Sequence, residues 1–327
     1  MQTLSVYVLV FHGSHDPRSQ RAAKQLTESF RHKIQQSAHV NQATRQDLQW
    51  VSSPRRSTFA ASTGFSSGAT SAETSVWVQD AYLECYSLPL PQQINQFVQQ
   101  IYAISDTSDT IRWRVIPVFL LAGMHVMEDL PMAIATAHTL SDSSPQLQIT
   151  PHLGAHAGLK RLLNERMSAL PMEAWILLAH GSRRPNANET VEQLATDLGV
   201  VTAYWSTPPS LETRIQELAA IGIRKIGILP YFLFSGGITD AIAQTVAQLA
   251  LALPNLTLTL SHPLDASIPE LADLLIDLAV KGGGLGVGGL ANRGKSYLFK
   301  SNLRVINAIC NKREKFIWSV RVRATQD

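Results

Sequence analysis

The chain has 327 residues, of which 45% are hydrophobic and 16% charged, and its mean hydropathy is +0.01. This composition is that of a soluble globular protein rather than a membrane-embedded one, and the length is enough for two ordinary domains. The net charge of +3 is unevenly spread. Residues 281–327 hold ten basic and two acidic side chains, a net +8, which leaves −5 on residues 1–280. The body is therefore no basic nucleic-acid binder.

The first apolar run, Ser5 to Phe11, is too short to span a bilayer, and lacks the basic lead and cleavage pattern of a signal peptide. Cys85 and Cys310 are too few for a disulfide framework. A reduced, cytoplasmic protein without membrane or nucleic-acid partners is expected. The sequence is silent on oligomeric state.

The chain repeats itself. Residues 5–18 read SVYVLVFHGSHDPR and residues 173–186 read EAWILLAHGSRRPN. In both, an apolar run ends in His-Gly-Ser, with proline five residues after the histidine. A second match joins VIPVFLLAG at 115–123 to ILPYFLFSG at 228–236, and a third joins residues 151–154 to 262–265. Three matches in one order predict two copies of one domain: 1–170, then 171–280, followed by a Gly-rich linker and basic tail at 281–327.

Each copy alternates short apolar runs with amphipathic stretches. In the second copy the pattern predicts strands at 174–179, 199–205, 224–231 and 256–261. Helices are predicted at about 186–197, 210–221, 239–252 and 267–279. That alternation specifies βαβ units and a parallel sheet buried on both faces, an α/β fold in two tandem copies. The first copy differs by a polar, Ser- and Thr-rich stretch at 38–75, which reads as a long, mobile insertion after the first helix.

In parallel α/β sheets, ligands bind beyond the carboxyl ends of the strands. Three residues of the first copy fall there: His12 after the first strand, Glu84 after the second and His125 after the third. Two imidazoles and a carboxylate suit a borderline divalent transition metal, and also proton transfer near neutral pH. Singly, each has a blander explanation, since Gly13 and Ser14 can simply make a turn and cap a helix. The repeat provides an internal control. Gapless alignment puts Trp205 opposite Glu84 and Ile238 opposite His125, so only His180 survives in the second copy. The fold thus does not demand the set, and the second copy reads as degenerate.

His-Gly-Ser-His-Asp-Pro-Arg at 12–18, Leu-Glu at 83–84, Pro-Val-Phe-Leu-Leu-Ala-Gly-Met-His at 117–125 and Glu-Asp-Leu-Pro at 128–131 together resemble the sirohydrochlorin chelatases of the CbiX and SirB type. The resemblance covers about residues 4–280 less the insertion, in the two-copy bacterial form. It implies a class II chelatase: ATP-independent insertion of Co²⁺ or Fe²⁺ (with Ni²⁺ a further candidate) into sirohydrochlorin, in cobalamin or sirohaem biosynthesis. No tightly bound cofactor is implied, because the metal is a substrate. By motif, His12 and His125 are its metal-site histidines. Glu84 can ligate, orient a histidine or take a proton. The substrate's carboxylates call for basic groups at the cleft rim, and Ser14, Arg18 and Arg21 are candidates for substrate contact.

Two other classes are open at this point: a tetrapyrrole or metal carrier without catalysis, and a hydrolase using Ser14. The second is disfavoured because Ser14 is in no Gly-x-Ser-x-Gly elbow. Residues 289–296 fit a phosphate-loop pattern, but no strand precedes them, so no nucleotide site is expected.

Overall fold

The computed structural model describes residues 3–51, 74–105, 110–140, 145–184 and 186–281. The tail and its phosphate-loop pattern lie outside the described residues. The first half runs β1 (Thr3–Phe11), α1 (Pro17–Val51), β2 (Thr74–Tyr82), α2 (Leu90–Ile104), β3 (Thr110–Pro117), α3 (Leu130–Thr139), β4 (Leu147–Ile149) and α4 (Ala157–Ser168). The second repeats the order: β5 (Ala174–Ala179), α5 (Glu189–Leu198), β6 (Val201–Tyr204), α6 (Leu211–Ala220), β7 (Lys225–Pro230), α7 (Gly237–Ala252), β8 (Thr257–Leu260) and α8 (Ile268–Lys281).

Both sheets are wholly parallel, with strand orders β2-β1-β3-β4 and β6-β5-β7-β8. The chain leaves β1 toward β2, then crosses back over β1 to reach β3. Right-handed crossovers therefore place α1 on one face and α2 and α3 on the other. β1 shows the consequence. Tyr7, Leu9 and Phe11 enter the core beneath α1, while Leu4, Val6, Val8 and Val10 enter the core beneath α2 and α3. A strand buried on both faces is apolar on both, which is why Val6 to Phe11 reads as one hydrophobic run.

The core on the α1 side does not stop at the first half. It takes in Leu26 and Phe30 of α1, Leu159 and Leu163 of α4, Val191 and Ala195 of α5, and Leu271 and Leu275 of α8, together with Trp175, Leu177 and Ala179 of β5. Four helices thus form one layer between the two sheets, and α6 and α7 cover the far face of the second sheet. Arg166 of α4 braces this junction, donating to the carbonyls of His262 and Pro263 at 2.9 and 3.0 Å and to Ser267 Oγ at 2.7 Å.

Every strand and helix expected in the second copy is present. The insertion is a partial correction. α1 continues to Val51, so residues 38–51 are helix rather than loop, and residues 52–73 lie outside the described residues. The reason is local: neither Gly nor Pro interrupts the sequence between Arg18 and Val51, whereas polarity alone marks an unpacked helix surface as readily as a loop.

Candidate metal centre

The strand order reverses at β1, so a crevice opens where the β1 and β3 connections depart to opposite faces of the sheet. His12 immediately follows β1, and His125 opens a single π-helical turn, His125–Asp129, that leads into α3. Glu84 lies two residues beyond β2.

A backbone contact at Gly13 fixes how closely His12 and Glu84 approach. Gly13 has φ +99°, and a Cβ built there would lie 1.9 Å from the Glu84 carbonyl oxygen. Only glycine permits both. The Glu84 N–H in turn donates to the His12 carbonyl at 2.8 Å. Ser14 serves the same turn, its Oγ accepting from the Asp16 N–H at 3.1 Å.

One ligand atom from each of His12, Glu84 and His125 lies within 4.8 Å of the other two. His12 Nε2 is 3.2 Å from His125 Nε2 and 3.9 Å from Glu84 Oε2. Donors bound to a transition metal at about 2.1 Å sit roughly 3–4 Å apart, so these separations need little adjustment. The histidine tautomers sharpen the point. His125 Nδ1 lies 2.7 Å from Asp129 Oδ2, and His12 Nδ1 lies 3.2 Å from the Gly13 carbonyl. Each Nδ1 has an acceptor, which assigns the ring proton there and leaves both Nε2 lone pairs facing one space. Two lone pairs at that distance repel unless a cation or a proton lies between them. The site is open to solvent: the His12 and Glu84 side chains are 50% and 55% exposed. Tyr82 beneath it is no proton acceptor, since burial, then its hydrogen bond to Asp80, pushes the phenol up.

A family model for CbiX matches residues 63–170 and again 174–280. The chain belongs to the CbiX family. A sirohydrochlorin cobaltochelatase of Priestia megaterium is 26% identical over 165 residues, 45% of this CbiX chain and 53% of that relative, so the chain spans about half the relative's length. Bacillus subtilis SirB with Fe³⁺ superposes with a TM-score of 0.60 at 20% identity, covering 86% of this chain and 96% of that one. A cobalt complex of the sirohydrochlorin chelatase SirB from B. subtilis subspecies spizizenii gives 0.53 at 17% identity, covering 86% and 95%. At these identities the two solved structures speak for the fold.

The structure brings together His12, Glu84 and His125 but gives Arg18 other partners. Its guanidinium pairs with Asp240 of α7 through two hydrogen bonds of 2.9 and 2.6 Å, and with Asp16 at 2.8 Å. The pair of carboxylates holds Arg18 firmly charged, and Arg18 holds Asp16 down at about 2. Arg18 thus clamps the two halves. Arg21 is exposed and lines a shallow crevice with Gln25 and Asp265. Asp129 escaped the sequence reading. Its signal was there in the spacing of His125 and Asp129, four residues apart and therefore on one helical face.

The second half requires a register correction. Leu83 and Glu84 donate to the carbonyls of Phe11 and His12; Trp205 and Ser206 donate to those of Ala179 and His180. Glu84 therefore corresponds to Ser206, and Trp205 to Leu83. Gapless alignment is off by one because the β2–α2 connection, residues 83–89, is one residue longer than the β6–α6 connection, residues 205–210. Ser206 Oγ donates to the His180 carbonyl at 2.8 Å, so the second turn is closed by a neutral hydroxyl. Ile238 stands in the first turn of α7 and is 40% exposed.

Proposed function

We propose that this protein inserts a divalent metal into sirohydrochlorin without nucleotide, at His12, Glu84 and His125, with cobalt or iron as the metal substrate. The reading rests on one observation above the rest: two Nε2 lone pairs, 3.2 Å apart, converge with a carboxylate at an open sheet edge. A buried structural site would close around its ion; an exposed, three-ligand site can hand the ion on.

The chemistry follows from the groups present. The free macrocycle must release two pyrrole N–H protons as the metal enters. His12 and His125 hold the ion through Nε2, and Asp129 fixes the orientation of the His125 ring. As the pyrrole nitrogens displace the protein ligands, the freed Nε2 atoms and the Glu84 carboxylate become the nearest acceptors for those protons. Exposed apolar side chains flank the set, with Tyr86 two residues past Glu84 and Met127 two past His125. They suit a flat macrocycle.

The test is an absorbance time course with sirohydrochlorin and Co²⁺, Fe²⁺ or Ni²⁺, without ATP. Multiple turnovers are expected, and His12→Ala and His125→Ala should each slow them at least about tenfold while leaving the fold intact. Stoichiometric binding without turnover would instead identify a carrier.

A further inference from the structure

We propose that Arg183 and Arg184, on the degenerate turn of the second half, bind carboxylate side chains of the macrocycle at the first half's metal centre. The proposal rests on the function given above and names the groups that recognise that substrate's anionic rim.

The two halves meet through two pseudo-equivalent contacts. In one, the turn after β1 meets the entrance to α7. Ser19 Oγ donates to the Ser235 carbonyl at 2.8 Å, and Arg18 pairs with Asp240. In the other, the turn after β5 meets the entrance to α3, and Arg184 Nη2 lies 3.9 Å from Met124 Sδ, one residue before His125. The hydrogen bonds at the strand ends set the equivalence. His12 matches His180, so His15 and Asp16 match Arg183 and Arg184, and Arg18 matches Asn186. Val118 and Tyr231 donate to Val10 and Leu178, which makes Met127 the counterpart of Asp240. The first contact is thus an ion-paired clamp. The second has lost both members of the ion pair and has Arg184 at the contact, with Arg183 exposed beside it in the same turn.

Those arginines are not spent on the fold. Both are exposed, and among the described residues neither guanidinium has a carboxylate partner. A thioether sulfur is a soft, neutral contact and leaves the charge uncompensated. Cations beside a centre that must attract a metal ion oppose its binding. That cost has a purpose if the second substrate is a polyanion, because guanidinium groups bind carboxylates with two parallel hydrogen bonds and fix orientation as well as charge. On this assignment the second half supplies the rim of the first half's site.

The test uses the full chain carrying Arg183→Ala and Arg184→Ala together. The KM for sirohydrochlorin should rise about tenfold or more, with kcat at saturation within about threefold. Co²⁺ affinity without macrocycle, read from the visible absorption of the bound ion, should not weaken. Arg184→Lys should recover part of the loss. A methyl-esterified macrocycle should bind wild type and variant alike. Unchanged KM, or Co²⁺ affinity falling in step with it, overturns the proposal. Macrocycle binding by fluorescence quenching separates this from the function itself. Arginine-dependent binding by a wild type that does not turn over sinks the insertion reaction alone. Turnover with arginine-independent KM sinks the arginines alone.

Discussion

Replacing Gly13 by alanine should unfasten the candidate metal centre, and the cost can be divided into parts. Alanine at φ +99° costs about 1–2 kcal/mol for the left-handed backbone alone. The new Cβ would also lie 1.9 Å from the Glu84 carbonyl oxygen, a backbone atom that cannot swing aside. β1 and the β2–α2 connection must separate, which breaks the 2.8 Å hydrogen bond from Glu84 to His12, worth about 1 kcal/mol. The total is about 3 kcal/mol, or more where the strands resist. Gly222 supplies the control, since its φ is +95° and nothing lies within 4 Å of its Cβ position. Gly222→Ala should show only the backbone term, about 1–2 kcal/mol, and leave Co²⁺ binding untouched. Urea unfolding and Co²⁺ titration of both variants measure the difference. Equal midpoints, with normal Co²⁺ binding by Gly13→Ala, would refute the claim that this contact sets the distance from His12 to Glu84.

Three further predictions address the ligands, the clamp and the second half. Asp129→Asn should weaken Co²⁺ binding about 10–100-fold with little change in unfolding midpoint, because the amide no longer fixes the His125 tautomer with a charge; unchanged affinity would remove Asp129 from the site. Asp16 is held at about 2 against an ordinary 3.8, chiefly by its hydrogen bonds from Arg18, so it binds fewer protons folded than unfolded between those values. Its contribution is therefore complete above about pH 4 and lost as pH falls toward 2, and Asp16→Asn should flatten the stability profile in that window. His180→Ala should change the insertion rate less than about twofold, since Ser206 and Ile238 offer no metal ligand beside it; a loss matching that of His12→Ala would relocate the reaction to the second half.

The repeat, the parallel sheets and the convergence of His12, Glu84 and His125 were legible because each depends on period or on position relative to a strand end. β1 is buried on both faces and so is apolar without interruption from Val6 to Phe11, and a residue just beyond it must face the crevice. Three features were not legible, for physical reasons. Arg18 is basic and near the site, but its pairing with Asp240 joins residues far apart in sequence. The one-residue shift that opposes Glu84 to Ser206 arises in hydrogen bonds between strand ends, which gapless comparison cannot detect. The continuation of α1 to Val51 was not legible because the Ser- and Thr-rich character of residues 38–75 weighed against helix, although neither Gly nor Pro interrupts residues 38–51.

The helix layer shared by the two sheets also determines how the crevice can move. Clamshell enzymes hinge where two domains touch lightly, so a few linker residues absorb the rotation. Here Leu26, Phe30, Leu163, Leu271 and Leu275 sit in a single apolar layer, and a hinge would have to expose them to water. The jaws are effectively welded. Any adjustment of the crevice that holds His12, Glu84 and His125 must therefore come from side chains at its rim rather than from rotation of one half against the other.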